Sequence, residues 1–350
     1  MPQPLFDAAT DPQDMRGAIA AFPDHLDTGW TLGADAAGLG LDPDAHDGVV
    51  ICGMGGSAIG GDLVRALAAP DSPLPVSVNR AYGLPAWVGA STAVIASSYS
   101  GGTEETLSAF GVAQERGAHL GVITSGGEIG QRAADGGLPT VTIPGGLQPR
   151  AALGYSLGVL LRVFRDAGLL DLSDADYAAA LAAARERAET YGSDSRTNLS
   201  REISGGLEGH LAVLYTGPGM LEPVGMRWQT QIHENAKHPA VRNVFPEMDH
   251  NEIMSFEAGP PDVLGKMAVV VLRDADDHPQ VAKRFEVTRE LAARTVSAWR
   301  EVDAEGDSRL DRMLSLIQLG DWASFWLAMR KGVDPTPVET IQKLKAVLAG

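Results

Sequence analysis

A chain of 350 residues exceeds one ordinary hydrophobic core, so two domains are expected. Its 44% hydrophobic and 21% charged residues are those of a globular chain, and no run approaches the ~18 apolar residues that a membrane span requires. The 45 acidic against 28 basic residues leave a net charge of -17, which argues against nucleic acid and anionic lipid as partners and obliges any phosphate site to be built locally.

The N-terminus, Met1 to Arg16, is polar and has no charged stretch followed by an apolar one, so no secretion signal is read and the cytoplasm is the expected location. Met15 to Phe22 reads as partly helical. Gly48 to Cys52 is a short apolar run with β-branched residues, the pattern of a buried strand. Cys52, the single cysteine, sits inside it as a small buried hydrophobe and excludes both an internal disulfide and a CxxC metal pair. The strand runs into Gly53-Met54-Gly55-Gly56-Ser57-Ala58 and a helical stretch to Ala68. Glycines that tolerate positive φ, backed by the free N–H groups of a helix start, form the usual means of holding an anion. Val76 to Asn79 and Ala93 to Ser97 are the next two strands. A helix to Gly117, a strand from Leu120 to Thr124 and another from Thr140 to Pro144 complete an alternation that predicts a parallel sheet covered on both faces.

Ala151 to Ala188 is rich in Ala and Leu and reads as long helices leading to a second lobe. There Ala212 to Thr216 is again an apolar strand that meets a glycine turn, Gly217-Pro218-Gly219, before a helical segment from Leu221 to Ala236. Lys266 to Leu272 is a further strand, and a last helix spans Thr336 to Leu348 with Pro337 suited to its first turn. The expected architecture is two α/β domains of similar design, residues 1–152 and 153–350, each a mostly parallel sheet flanked by helices.

The first glycine loop satisfies the G-x-G-x-x-A form of a dinucleotide fingerprint, but the second strand ends at Asn79-Arg80, which would suit only a 2′-phosphate. The loop after the third strand points elsewhere. Ser98, Ser100, Thr103 and Thr106 crowd hydroxyls between a strand end and a helix start, with Glu104 and Glu105 in that helix's first turn. An N-cap accounts for one of these hydroxyls and not for the cluster. Three hydroxyls together with the N–H groups of the helix start make a neutral cup for a phosphate.

Gly-Met-Gly-Gly-Ser followed by Ser-Tyr-Ser-Gly-x-Thr-x-Glu-Thr resembles the sugar isomerase (SIS) domain. The whole chain is similar to the bifunctional phosphoglucose/phosphomannose isomerases, which are built from two such domains. The likeness continues in Pro149-Arg150-Ala151-Ala152-Leu153, Glu234-Asn235-Ala236-Lys237, Pro246-Glu247-Met248-Asp249-His250-Asn251 and Ile341-Gln342-Lys343-Leu344-Lys345. It implies a metal-independent, cofactor-free aldose–ketose isomerase, a homodimer acting on 6-phosphosugars through an enediolate.

Such a reaction needs a base for a proton α to a carbonyl, commonly a partly buried carboxylate. Glu234, near apolar Ile232 and Ala236, is the candidate, although its surroundings fit a surface helical glutamate equally well. The resemblance decides for the base. His233 and His238 are five apart and point away from each other on a helix, which disfavours a zinc pair. His250 lies in a polar loop, where an exposed histidine of no function is the plain alternative. The resemblance makes it the acid/base of ring opening, contributed by the neighbouring subunit. By the same resemblance Arg150 faces the developing enediolate oxygen, and Lys345 assists ring opening. Val338, Ile341, Lys345 and Leu348 would share one face of the last helix, placing Lys345 on a packed face, with Lys343 as the fallback. Ser57, Ser98, Ser100 and Thr103 are expected to hold the phosphate, with Gly55 and Gly56 beside the sugar.

Three positions depart from the family pattern. Asn is usual where His233 stands, and Asn is common where Gly102 stands. Val338 replaces the threonine seven residues before the lysine, which makes the glucose reaction a firmer expectation than the mannose reaction. Two other classes compete: a non-catalytic sugar-phosphate sensor, and an NADP-linked oxidoreductase resting on Gly53 to Ala58 and Arg80.

Overall fold

The computed structural model of the chain describes residues 5–194 and 197–348. They build two parallel sheets, each in its own compact unit. After α1 (Met15–Ala20), the first-sheet unit runs through α2 (Phe22–Ala34), β1 (Gly48–Cys52), α3 (Gly55–Ala68), β2 (Val76–Asn79), β3 (Thr92–Ser98), α4 (Glu104–Glu115), β4 (His119–Thr124), α5 (Gly127–Asp135), β5 (Thr140–Thr142) and α6 (Leu153–Asp166). The strands pair in the order β2-β1-β3-β4-β5, all parallel.

Every residue of β1 is buried, because helices cover both faces of the sheet. Val50, Cys52, Val94 and Val122 pack with Phe110 of α4 and Ile129 of α5. Ile51 turns to the opposite face and meets α3, where a Cβ on Gly61 would stand 2.9 Å from Ile51 Cγ2. Burial pushes the Cys52 thiol up to about 12, so it serves as a core hydrophobe rather than a nucleophile.

The compact unit around this sheet comprises Ala20–Arg185 with Gly306–Asp311 and so takes in α6 and most of α7 (Asp174–Gly192). The cause is the meeting of α2 with α6. A Cβ on Gly29 would collide with the Tyr155 carbonyl, and one on Gly158 with that of Leu26, so the two helices touch backbone to backbone.

The second-sheet unit contains α8 (Leu199–Leu207), β6 (Leu211–Thr216), α9 (Leu221–Ala236), β7 (Ala240–Val244), α10 (Met254–Ala258), α11 (Pro261–Leu264), β8 (Met267–Arg273), α12 (Pro279–Ala292), β9 (Ala298–Asp303), most of α13 (Arg309–Lys331), and α14 (Glu339–Leu348). Its parallel order, β7-β6-β8-β9, repeats that of β2-β1-β3-β4. Val213, Tyr215, Val271, Phe245 and Phe285 form one side of the core. On α9 the Trp228 indole is fully buried and donates to the Leu316 carbonyl of α13 at 2.8 Å. No helix among the described residues is long and apolar enough to cross a membrane.

Burial lowers the pKa of His25 in the first-sheet unit and of His238 in the second below the ordinary 6.5. The unfolded chain then binds more protons than the folded one below about 6.5, so these groups remove stability as pH falls through that value. The urea midpoint should therefore drop less between about pH 7.5 and 5.5 in a His25→Gln/His238→Gln variant than in the unsubstituted protein. Equal drops would overturn the assignment.

Candidate active site

Ligands of open parallel sheets sit outside the carboxyl ends of the strands, where adjacent strands send their connections in opposite directions. In the first sheet that point lies between β1 and β3, and both loops singled out from the sequence leave these strands. Gly55 has a φ of +52 and a Cβ there would meet no atom within 4 Å among the described residues. Gly56 serves a different purpose. A Cβ on it would stand 2.5 Å from the Pro149 carbonyl oxygen and 3.3 Å from the Arg150 nitrogen, so the glycine lets α3 begin directly against the segment that carries Arg150. Arg150 is buried, with 4% of its surface exposed. Ser57 is buried too, and its Oγ accepts the Tyr99 N–H at 3.1 Å.

In the second loop Ser98 Oγ donates to Thr103 Oγ1 at 3.1 Å, and exposed Ser100 accepts the Gly102 N–H at 3.4 Å. Thr103 occupies the N-cap position of α4, yet its side chain caps no N–H. The first-turn amides of α4 therefore keep their donors for another acceptor, and their positive end lies beside three hydroxyls. Gly101, at φ +67, has no room for a Cβ, which would collide with the Gly126 carbonyl of the loop after β4. This unit thus gathers Gly55, Gly56, Ser57, Ser98, Ser100, Thr103 and Arg150.

The dinucleotide reading loses its one cation. Arg80 is ion-paired with Asp62 of α3, and the Asn79 side chain closes on the Ala81 and Gly83 carbonyls, each at 3.0 Å. The matching point of the second sheet, between β6 and β8, is also closed to anions. Asp274 pairs with Arg312 at 2.9 Å, Asp276 with the same guanidinium, and Asp277 with Arg273 at 3.4 Å. Asp277 lies where a side chain on Gly217 would point, 2.7 Å from a Cβ there. Only the first of the two equivalent glycine turns suits a phosphate.

Glu234, His250 and Lys345 belong to the second-sheet unit. Glu234 is half-buried near the end of α9 and lines a cleft of about 490 Å³ with His233, Lys237, Val338 and Ile341. The helix end is fixed in several ways. Lys237 ends α9 in the left-handed region at φ 46, Lys331 Nζ donates to the Ala236 carbonyl at 2.8 Å, and Asn235 donates to Ser324 Oγ at 2.9 Å. His233 Nε2 lies 3.0 Å from the Ala240 carbonyl and His238 Nε2 2.6 Å from that of His210, so the two rings have separate partners.

His250 ends a short 3₁₀ turn, Glu247–His250, and is exposed. Its neighbours hold the turn from two sides. Asp249 accepts from Arg284 and Thr288 of α12, both at 3.0 Å, while Glu252 accepts from the Tyr215 hydroxyl and Asn243 Nδ2, both at 2.6 Å. The imidazole itself has no hydrogen-bond or ion-pair partner among the described residues.

The last helix corrects one expectation. α14 begins at Glu339 rather than Thr336, and none of its residues is buried. Lys345 therefore does not lie on a packed face: Ile341, Leu344, Val347 and Leu348 are between 42% and 77% exposed around it. Lys343 forms an exposed pair with Glu339 at 3.8 Å. The amphipathic spacing is present, but no element among the described residues of the unit buries it. Sequence reading also passed over Tyr99, Asp249 and Glu252. Their hydrogen-bond partners lie on other elements, which no local pattern announces.

Residues 196–348 match the model of the bacterial phospho-glucose isomerase C-terminal SIS domain. The chain is 42% identical over 334 residues to the bifunctional phosphoglucose/phosphomannose isomerase of Caldicellulosiruptor bescii, covering 95% of this chain and 98% of that one. It is 35% identical to the protein of that name from Aquifex aeolicus, covering 89% and 93%. Among solved structures, a hypothetical protein from Thermus thermophilus shares the fold, with a TM-score of 0.73 at 18% identity over 97% of this chain and 92% of that one.

Proposed function

The chain belongs to the bifunctional phosphoglucose/phosphomannose isomerase family and is an aldose–ketose isomerase; we propose that it interconverts glucose 6-phosphate, and more slowly mannose 6-phosphate, with fructose 6-phosphate through an enediolate. The observation that carries this reading is the hydroxyl cup of Ser98, Ser100 and Thr103, set against a helix start whose amides the N-cap side chain leaves uncapped.

In the proposed reaction His250 and Lys345 pass a proton between the ring oxygen and the anomeric hydroxyl, which opens the sugar. Glu234 removes the proton from C2, the C1 oxygen gains one, and the C2 hydroxyl gives one up. Glu234 then returns its proton to C1, leaving the ketone at C2. Arg150 faces the negative oxygen of the intermediate, where a buried guanidinium acts in a low dielectric. The phosphate remains in the loops, and its binding energy orients the reacting carbons.

The working form is a cytoplasmic homodimer in which His250 serves the site of the neighbouring copy. An exposed imidazole on a rigidly held turn, without a partner among the described residues of its own chain, supports that arrangement. Two isomerase domains, one around each sheet, accompany the same reading.

A coupled assay with each aldose phosphate, in the presence of EDTA, tests it. Turnover should persist in EDTA and be faster with glucose 6-phosphate, because Val338 occupies the threonine position. No turnover with either sugar phosphate would return the chain to the sensor reading.

A further inference from the structure

Tyr99 stands between the two serines of the phosphate loop, and its polar atoms meet three other segments of the first-sheet unit. Its N–H donates to Ser57 Oγ of the glycine loop at 3.1 Å. Its carbonyl accepts both the N–H and the hydroxyl of Ser125, after β4, at 3.2 and 2.6 Å. Its buried phenol accepts the N–H of Leu147 at 3.0 Å. Leu147 lies three residues before Arg150, in the segment that leads from β5 to α6.

We propose that Tyr99 is a positioning residue that couples the phosphate loop to the Arg150 guanidinium, so that the phosphate end of the substrate sets the catalytic cation. The inference rests on the isomerase reading above. Arg150 is confined from two directions. On one side Gly56 admits Pro149 and Arg150 against the start of α3; on the other, the phenol fixes the segment at Leu147. Between them the chain turns through the Ala151 N–H bond to Gln148 at 2.9 Å. A shift of the phosphate loop therefore moves the Leu147 anchor with it. Electrostatic stabilisation of an enediolate depends on the distance and direction of the charge, so a loosened anchor lowers turnover without loosening the phosphate cup.

Tyr99→Phe separates the bonds, because the backbone links to Ser57 and Ser125 survive while the link to Leu147 is lost. Its kcat should fall by about tenfold, with KM and competitive inhibition by inorganic phosphate within about twofold of the unsubstituted enzyme. In an Arg150→Ala background the same change should cost less than about twofold in kcat, since Tyr99 acts through a group already removed. Equal costs in the two backgrounds would overturn the proposal, as would an unchanged kcat in Tyr99→Phe or a loss carried by KM. An unsubstituted enzyme without isomerase activity would instead refute the function on which the inference rests.

Discussion

Glu234→Gln should lower kcat for glucose 6-phosphate isomerisation by about two to four orders of magnitude, the usual contribution of a positioned general base. The substitution preserves volume and removes only the basic oxygen. The glutamate is half-buried at a cleft of about 490 Å³ that the apolar side chains of Val338 and Ile341 also line. Its backbone is held by the left-handed turn at Lys237 and by the Lys331 ammonium on the last carbonyls of α9, so glutamine will occupy the same place. KM should change little, and the thermal midpoint should match that of the unsubstituted protein. Solvent deuterium incorporation at C2 of the sugar phosphate, measured by NMR, should disappear together with turnover. Retention of full turnover would exclude Glu234 as the base.

Arg227→Met should cost the second-sheet unit about 3–5 kcal/mol, the usual consequence of stranding one member of a buried ion pair. Arg227 meets Asp321 of α13 through two parallel bonds, Nε to Oδ1 at 2.9 Å and Nη2 to Oδ2 at 2.7 Å, and both side chains are almost wholly buried. Gln231, one turn further along α9, donates to the same carboxylate at 3.0 Å, and Asn235 after it reaches Ser324. Burial raises the Asp321 pKa and the guanidinium opposes that rise. Without Arg227 the carboxyl will protonate more readily, so the loss should be smaller at acid pH than at neutral pH. Urea unfolding should show a lower midpoint, and Arg227→Met/Asp321→Leu should recover part of it. A midpoint unchanged in the single variant would show that the pair does not hold α9 to α13. Because Glu234 rides on α9, the same variant should also lose activity as the helix shifts.

Much of this molecule was legible in one dimension. Gly48 to Cys52 and Leu120 to Thr124 read as strands because sheets covered on both faces require uninterrupted apolar runs. The edge strands β7 (Ala-Val-Arg-Asn-Val) and β9 (Ala-Trp-Arg-Glu-Val-Asp) did not, since an edge leaves much of each strand open to water and admits charged residues. The hydroxyl cup was visible for a local reason: Ser98, Ser100 and Thr103 come together within six consecutive residues. Singling out Glu234 and the turn of His250 needed the resemblance as well as the pattern, because an isolated helical Glu or loop His has no distinguishing neighbour in sequence.

By itself, then, the sequence determined what short-range chemistry writes: the apolar strands, the glycine turns, the hydroxyl cluster and the family motifs that order them. Tertiary structure decided which of two similar glycine turns is left open, because the second is filled by Asp277 and its acidic neighbours. It also decided that Gly56 buttresses Arg150, that α6 belongs with the first sheet, and that α14 presents its apolar face and Lys345 outward. Each outcome depends on what occupies the space opposite a residue. That space is filled by segments tens to hundreds of residues away, and local periodicity carries no record of them.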